Sequence, residues 1–185
     1  MGSLTWNPHR RYCYGLDLVS AAVRLSRNDL IVVVVGEGNG MARLRSVAGE
    51  FLGARIRLPG PVALDEVLPC LAAFDVAALP QSTDGVGAFR YTTKLSEYAS
   101  ARLPVITSRI PVAYDLGFDW MWRLPGRGPW EKTYINALVR LLETLDTPQI
   151  EAHRKAIPQQ LEAFNCQIQI ARVTAFIDEL LEELA

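Results

Sequence analysis

The sequence predicts an α/β protein: a Rossmann-like, three-layer α/β/α unit built on one six-stranded parallel sheet. Three observations predict it. Short apolar runs bounded by glycine or proline alternate with stretches of helical period, the pattern of parallel strands covered on both faces. The run Leu30 to Val35, "LIVVVV", leads directly into a glycine-rich turn and then an amphipathic stretch, a strand-turn-helix unit. No internal repeat, low-complexity segment or flexible linker interrupts the chain, so one compact unit is expected.

The elements follow in order. "SLTW" reads as a first strand feeding the helix "LDLVSAAVRL", and Leu30 to Phe51 holds the second strand, its turn and the helix "MARLRSVAGEF". "ARIRLPG" is a short third strand, "LDEVLPCLAAF" a helix interrupted at Pro69, and "DVAALPQS" a fourth strand ending in a polar loop. The helix opening at Thr92 precedes the strand "LPVITS", and "DWMWRL" is the last strand before the helix in "WEKTYINALVRLLETL". After Thr147-Pro148 the pattern is wholly helical, with an apolar stripe and an acidic end. The expected organisation is therefore a Rossmann-like domain over 1–147 and a helical extension over 148–185 that packs on it or on a partner.

Composition narrows the function classes. Of 185 residues, 50% are hydrophobic and the net charge is -1, which argues against a disordered tail and against bulk attraction to nucleic acid. Three cysteines, Cys13, Cys70 and Cys166, lie far apart with no C-x-x-C pair, so neither a disulfide framework nor a zinc site is encoded and a reducing, cytoplasmic setting fits. The longest apolar run is too short to span a bilayer, although work at the inner face of a membrane is compatible with the sequence.

Open α/β sheets bind ligands beyond the carboxyl ends of their strands, so the loops after the strands are where chemistry is sought. After the first strand, "NPHRRY" places Arg10 and Arg11 beside His9, a cluster suited to an anion or simply to a solvated turn. The turn Gly36 to Gly40 lacks the full G-x-G-x-x-G spacing and reads as structural. "PQSTDGVGAF", Pro80 to Phe89, carries Asp84 to accept hydrogen bonds from sugar-like hydroxyls, with Gly85 and Gly87 flanking Val86 to let backbone N–H groups face a ligand. Thr92 or Thr93 can cap the next helix, whose unpaired amides suit a phosphate; Lys94 adds a positive charge and Glu97 a carboxylate one turn in. The bland alternative is an exposed i,i+3 ion pair between Lys94 and Glu97. Trp120, Trp122 and Trp130 read as packing residues.

Taken in order, "VVVVGEGNG", "IRLPGPVALDEVLPCLAAFDVAALP" and "TTKLSEYASARLPVITS" resemble the C-terminal donor-binding domain of GT-B glycosyltransferases of the family 4 and group 1 type, over most of Ser3 to about Leu145. The resemblance implies a nucleotide diphosphate-sugar as substrate, with no metal and no cofactor. It implies that Glu97 holds the ribose hydroxyls, that Lys94 and the amides near Thr92 and Thr93 hold the diphosphate with Arg10 or Arg11, and that Gly60, Pro61 and Val62 cup the base. Where the family has a second glutamate, eight positions before Glu97, this chain has Phe89, so donor-sugar contacts are expected from Asp84, Gly85, Val86 and Gly87. Arg102-Leu103 replaces the family's small residue and glycine before Pro104, and Asn7 to Arg11 lacks its arginine and glycine-lysine pattern.

A whole GT-B enzyme also has an acceptor-binding domain, which this chain lacks, so the resemblance implies a glycosyltransferase of hexosyl type that is inactive as this domain alone. The expected partners are the nucleotide-sugar and the missing domain or subunit, with no nucleic acid. The alternative from another class is a non-catalytic interaction module; an epimerase relative is disfavoured by the "K-L-x-E-Y" element.

Overall fold

The structure, a computed structural model, describes residues 2–90, 92–111, 119–159 and 161–184. Strand β1 (Gly2–Ser3) leads through a tight loop to α1 (Leu16–Ala22), then β2 (Val32–Glu37), α2 (Met41–Ala48), β3 (Ile56–Gly60), α3 (Val67–Ala72) and β4 (Ala77–Leu79). Next come α4 (Thr93–Ser100), β5 (Val105–Ser108), β6 (Met121–Leu124), α5 (Lys132–Thr144), α6 (Thr147–Ala156) and α7 (Cys166–Glu183). The order of strands and helices read from the sequence is present, although the first strand is Gly2–Ser3 and not "SLTW". The stretch "LDEVLPCLAAF" is not one continuous α-helix: a 3-10 turn, Leu64–Glu66, precedes α3, and Pro69 is the third residue of α3, where its missing N–H has no intrahelical partner to lose.

The single six-stranded sheet is not what forms. All ladders are parallel, but they make two three-stranded sheets, β1-β2-β3 and β4-β5-β6. The reason lies in β1, which among the described residues pairs with β2 through Gly2 opposite Gly36 and Ser3 opposite Glu37. Two residues at the carboxyl end of β2 cannot carry a ladder across to β4.

The halves are joined on one face instead. Ala21 and Leu25, at the end of α1, pack into one buried cluster with Tyr134, Leu138 and Leu142 of α5 and with Ile106 and Leu124 of the second sheet. Separate clusters fill each half, around Val32, Val34, Leu44 and Ile56 in the first and around Val105, Leu95, Tyr98 and Trp120 in the second. Two arginines close helix ends across elements: Arg55 donates to the carbonyls of Ala22 and Leu25, and Arg27 to those of Leu142 and Leu145.

Arg102 does the same for α6. It has a left-handed backbone (φ 57), the conformation that glycine tolerates best. Its guanidinium donates to the carbonyls of Ile157, Pro158 and Arg154 at 2.7, 2.9 and 3.2 Å, tying the end of α6 to the α4–β5 turn. Ile157 is buried behind this clasp. By contrast α7 buries none of its residues, and Ile170, Val173, Phe176, Ile177, Leu180 and Leu181 are all exposed.

Candidate functional site

The carboxyl ends of the strands bring together three of the loops singled out in the sequence. The loop after β1 is pinched shut by mutual backbone hydrogen bonds between Asn7 and Tyr12, and Asn7 Oδ1 accepts from the Arg10 amide, so both arginines project from a turn of fixed shape. Arg11 sits at its tip with a left-handed φ of 49 and an exposed side chain. Arg10 reaches sideways: its guanidinium lies 4.3 Å over the Trp130 ring and its Nη2 is 2.7 Å from Asp84 Oδ2.

Asp84 organises the loop after β4. One carboxylate oxygen accepts from the Ser82 hydroxyl at 2.8 Å and from the Gly87 amide at 3.0 Å, and the other takes Arg10. The Gly87 amide, then the Ser82 hydroxyl, then Arg10 hold this carboxyl below the usual aspartate range. Gly87 is constrained further, because a Cβ there would fall on the Ser82 hydroxyl and carbonyl. Gly85 and Val86 are exposed at the loop tip, where added bulk at Gly85 would meet open space.

Thr92, rather than Thr93, caps α4: its hydroxyl accepts from the Lys94 amide at 3.4 Å. Lys94 turns back over the start of the chain, where a Cβ on Gly2 would lie 3.3 Å from its Nζ. Among the described residues Lys94 and Glu97 form no ion pair with each other, so the bland reading of that spacing does not describe this helix. Glu97 is half-buried one turn in.

Gly60, Pro61 and Val62 stand apart. They lie at the carboxyl end of β3, the outer strand of the first sheet, with Gly60 opposite Val35 and a left-handed φ of 94. Among the described residues no hydrogen bond or ion pair links them to Arg10, Asp84 or Lys94. Gly36, Gly38 and Gly40 are structural: a Cβ on Gly36 would strike the Gly2 carbonyl, and one on Gly38 or Gly40 the Leu4 carbonyl.

Two contributors escaped the sequence reading. Arg90 donates to the Tyr14 hydroxyl at 3.3 Å and lines, with Thr92 and Lys94, the mouth of a cavity of about 890 Å3. The only signal was its place between a glycine loop and a helix cap, which alone does not mark it. The other is Asp17, fully buried in the first turn of α1, which accepts from the Tyr12 hydroxyl at 2.9 Å. Burial pushes its carboxyl up to about 6, while the Tyr12 hydrogen bond pulls the other way. Because the Tyr12 ring packs edge-on against Trp130 and Tyr14, this pair anchors the base of the Arg10 loop.

Arg90 and Lys94 line the cavity beside the capped start of α4, and the Arg10–Asp84 pair ties together the loops after β1 and β4. This arrangement can bind an anion and accept hydrogen bonds from hydroxyls. Among the described residues no cluster of three His, Cys, Asp or Glu side chains is placed to ligate a metal ion.

Residues 1–144 match the model of the family described as "Glycosyl transferases group 1". The chain belongs to the group 1 glycosyltransferase family. No curated protein matches this group 1 chain in sequence. Among solved structures, its fold is similar to that of the pneumococcal O-GlcNAc transferase GtfA, solved with UDP and GlcNAc (TM-score 0.65, 17% identity, 97% of this chain and 36% of that one). It is also similar to WaaG, a glycosyltransferase of lipopolysaccharide biosynthesis (TM-score 0.54, 18% identity, 84% of this chain and 41% of that one). The group 1 chain thus spans about two-fifths of the length of either protein.

Proposed function

We propose that this chain is the donor-binding half of a glycosyltransferase that takes its sugar from a nucleotide diphosphate-sugar. The observation that carries the reading is the rim formed by Arg90, Lys94 and the Thr92-capped start of α4 at the carboxyl ends of the strands. Lys94 and the α4 amides would hold the diphosphate, Glu97 the ribose, and Gly60 to Val62 the base, with Arg10 released from Asp84 to a phosphate oxygen. Freed from Arg10, Asp84 would accept from a sugar hydroxyl beside Gly85, Val86 and Gly87. The fold's likeness to a transferase solved with UDP and GlcNAc supports this reading. So does the coverage of 36% and 41%, which leaves room in such proteins for a separate acceptor half. Catalysis needs donor and acceptor positioned together, so the domain alone would bind without transferring, and the enzyme would be a hexosyltransferase.

The test is calorimetry against UDP, GDP and ADP, each with and without a sugar. Binding of one of them, lost in Glu97→Ala and Lys94→Ala, is the expected result; equal affinity in both variants would remove the site assignment.

A second reading, a non-catalytic assembly module, is favoured by one observation, the uncovered apolar face of α7. A strictly monomeric chain that binds a nucleotide cleanly would rule against it.

A further inference from the structure

Three aromatic rings meet between the loops after β1 and β6. Tyr12 is the middle one: Tyr14 stands edge-on to it with centroids 6.1 Å apart and planes at 72°, and Trp130 does so at 5.8 Å and 63°. At such angles the positive edge of one ring meets the negative face of another. Each outer ring holds an arginine. The Arg10 guanidinium lies 4.3 Å over Trp130, and Arg90 Nη1 donates to the Tyr14 hydroxyl at 3.3 Å. The two arginines come from loops far apart in sequence, yet an unbroken chain of ring contacts joins them.

The middle ring is the fixed one. Asn7 and Tyr12 exchange backbone hydrogen bonds at 2.8 and 3.2 Å, and the Tyr12 hydroxyl donates to Asp17 Oδ1 at 2.9 Å, so the residue is tied at its backbone and at its tip. Tyr12 is buried, and Asp17 fully so. Glycines set the flanks. Gly15, next after Tyr14, has a left-handed φ of 85, and a Cβ there would fall 2.6 Å from Val34 Cγ1, so the entry to α1 lies hard against β2. A Cβ on Gly128 would fall 2.6 Å from the Trp130 ring, which therefore occupies space that only a glycine leaves. Tyr14 is 44% exposed and Trp130 half-buried, so the outer rings sit at the surface, where their arginines meet solvent.

We propose that Trp130, Tyr12 and Tyr14 form a platform that positions Arg10 and Arg90 as one pair, with Tyr12 the positioning residue that couples them. Seating a guanidinium on a ring face leaves its N–H edges for an anion, since those donors lie in its own plane. It also removes rotamer freedom before the anion arrives, so less is lost on binding. Toward a donor diphosphate the pair acts as one clamp, a use that rests on the donor-binding reading above. Trp130, which reads from the sequence as a packing residue, is then part of the binding machinery.

The test has a ligand-free arm and a binding arm. In the ligand-free protein, the Nε–Hε signals of Arg10 and Arg90 are followed by NMR, with Arg172 of α7, paired to Glu162, as the control. Tyr12→Leu should move both signals and leave Arg172 in place, whereas Trp130→Leu should move Arg10 alone. In the binding arm, calorimetry with inorganic pyrophosphate runs a double-mutant cycle. Tyr12→Leu should weaken binding about 5- to 20-fold in the parent and less than about 2-fold in Arg10→Ala/Arg90→Ala, where Lys94 still supplies affinity. Tyr12→Phe keeps the ring and should recover most of the loss. An equal loss in both backgrounds would make Tyr12 merely structural and overturn the proposal, as would arginine signals that ignore Tyr12→Leu. Should Tyr12→Leu not fold, Trp130→Leu against Arg10→Ala repeats the cycle at a half-buried position. A parent that binds no pyrophosphate while Tyr12→Leu moves both signals removes the donor reading and leaves the platform standing.

Discussion

Arg10 Nη2 and Asp84 Oδ2 meet at 2.7 Å across 74 residues of sequence, locking the loop after β1 to the loop after β4. The bond engages the Arg10 guanidinium and fills one oxygen of the only carboxylate in the glycine loop. Both side chains remain substantially exposed, so the pair acts on loop geometry more than on global stability.

A diphosphate competing for Arg10 gives the first prediction. Arg10→Ala and Lys94→Ala should each weaken nucleoside diphosphate binding by about 10- to 100-fold, the range of a lost charge-assisted hydrogen bond, while Tm moves by less than about 2 °C. Calorimetry paired with melting curves decides it; equal losses of affinity and Tm would point to a structural role instead.

Asp17 predicts a pH dependence. Its native carboxyl is raised to about 6 from an ordinary value of 3.8, so folding favours the protonated form. That contribution is complete below the unfolded value and is lost as pH rises through about 6, leaving an ionised buried carboxylate at neutral pH with a penalty of about 3 kcal/mol. Asp17→Asn keeps an acceptor for Tyr12 and cannot ionise. Its Tm relative to the parent should therefore climb between pH 4 and pH 7, by up to about 10 °C in calorimetric scans. A difference that stays flat across that window would contradict the assignment.

The Arg102 clasp separates strain from bonding. Arg102→Ala keeps the left-handed backbone and loses three carbonyl contacts; Arg102→Gly loses the contacts but relaxes the backbone. Urea unfolding should show the alanine variant destabilised by about 2–3 kcal/mol and the glycine variant by about 1 kcal/mol less. The reverse order would mean that φ at this position carries no strain.

Truncation after Asn165 removes α7, which buries none of its residues. The shortened chain should keep its Tm to within about 3 °C and lose any self-association or dye binding that the apolar face confers, read by sedimentation and by fluorescence. A large drop in Tm would show that α7 packs on the body in solution.

Much of this was legible in the chain. Strand and helix placement followed from "LIVVVV", "LPVITS" and the period of "KTYINALVRLLETL", because burial on both faces or on one stripe writes itself into local spacing. Thr92, Lys94 and Glu97 were visible because capping and helical spacing are local rules. Arg90 and Asp17 were not visible: one looks like any loop arginine, and the other like an ordinary first-turn aspartate until Tyr12 closes over it.

The sequence by itself determined the fold class, the order of the elements and the loops that carry the rim, since each depends on neighbours within a few turns of chain. Tertiary structure decided how those elements share edges and which charges meet. Whether β1 bridges β2 and β4, whether Asp84 faces Arg10 or a ligand, and how far burial lifts Asp17 all depend on residues tens of positions apart brought within a few ångströms. Hydrogen-bond ladders and Coulomb interactions act over those distances and not along the chain, so their outcome exists only once the chain has folded.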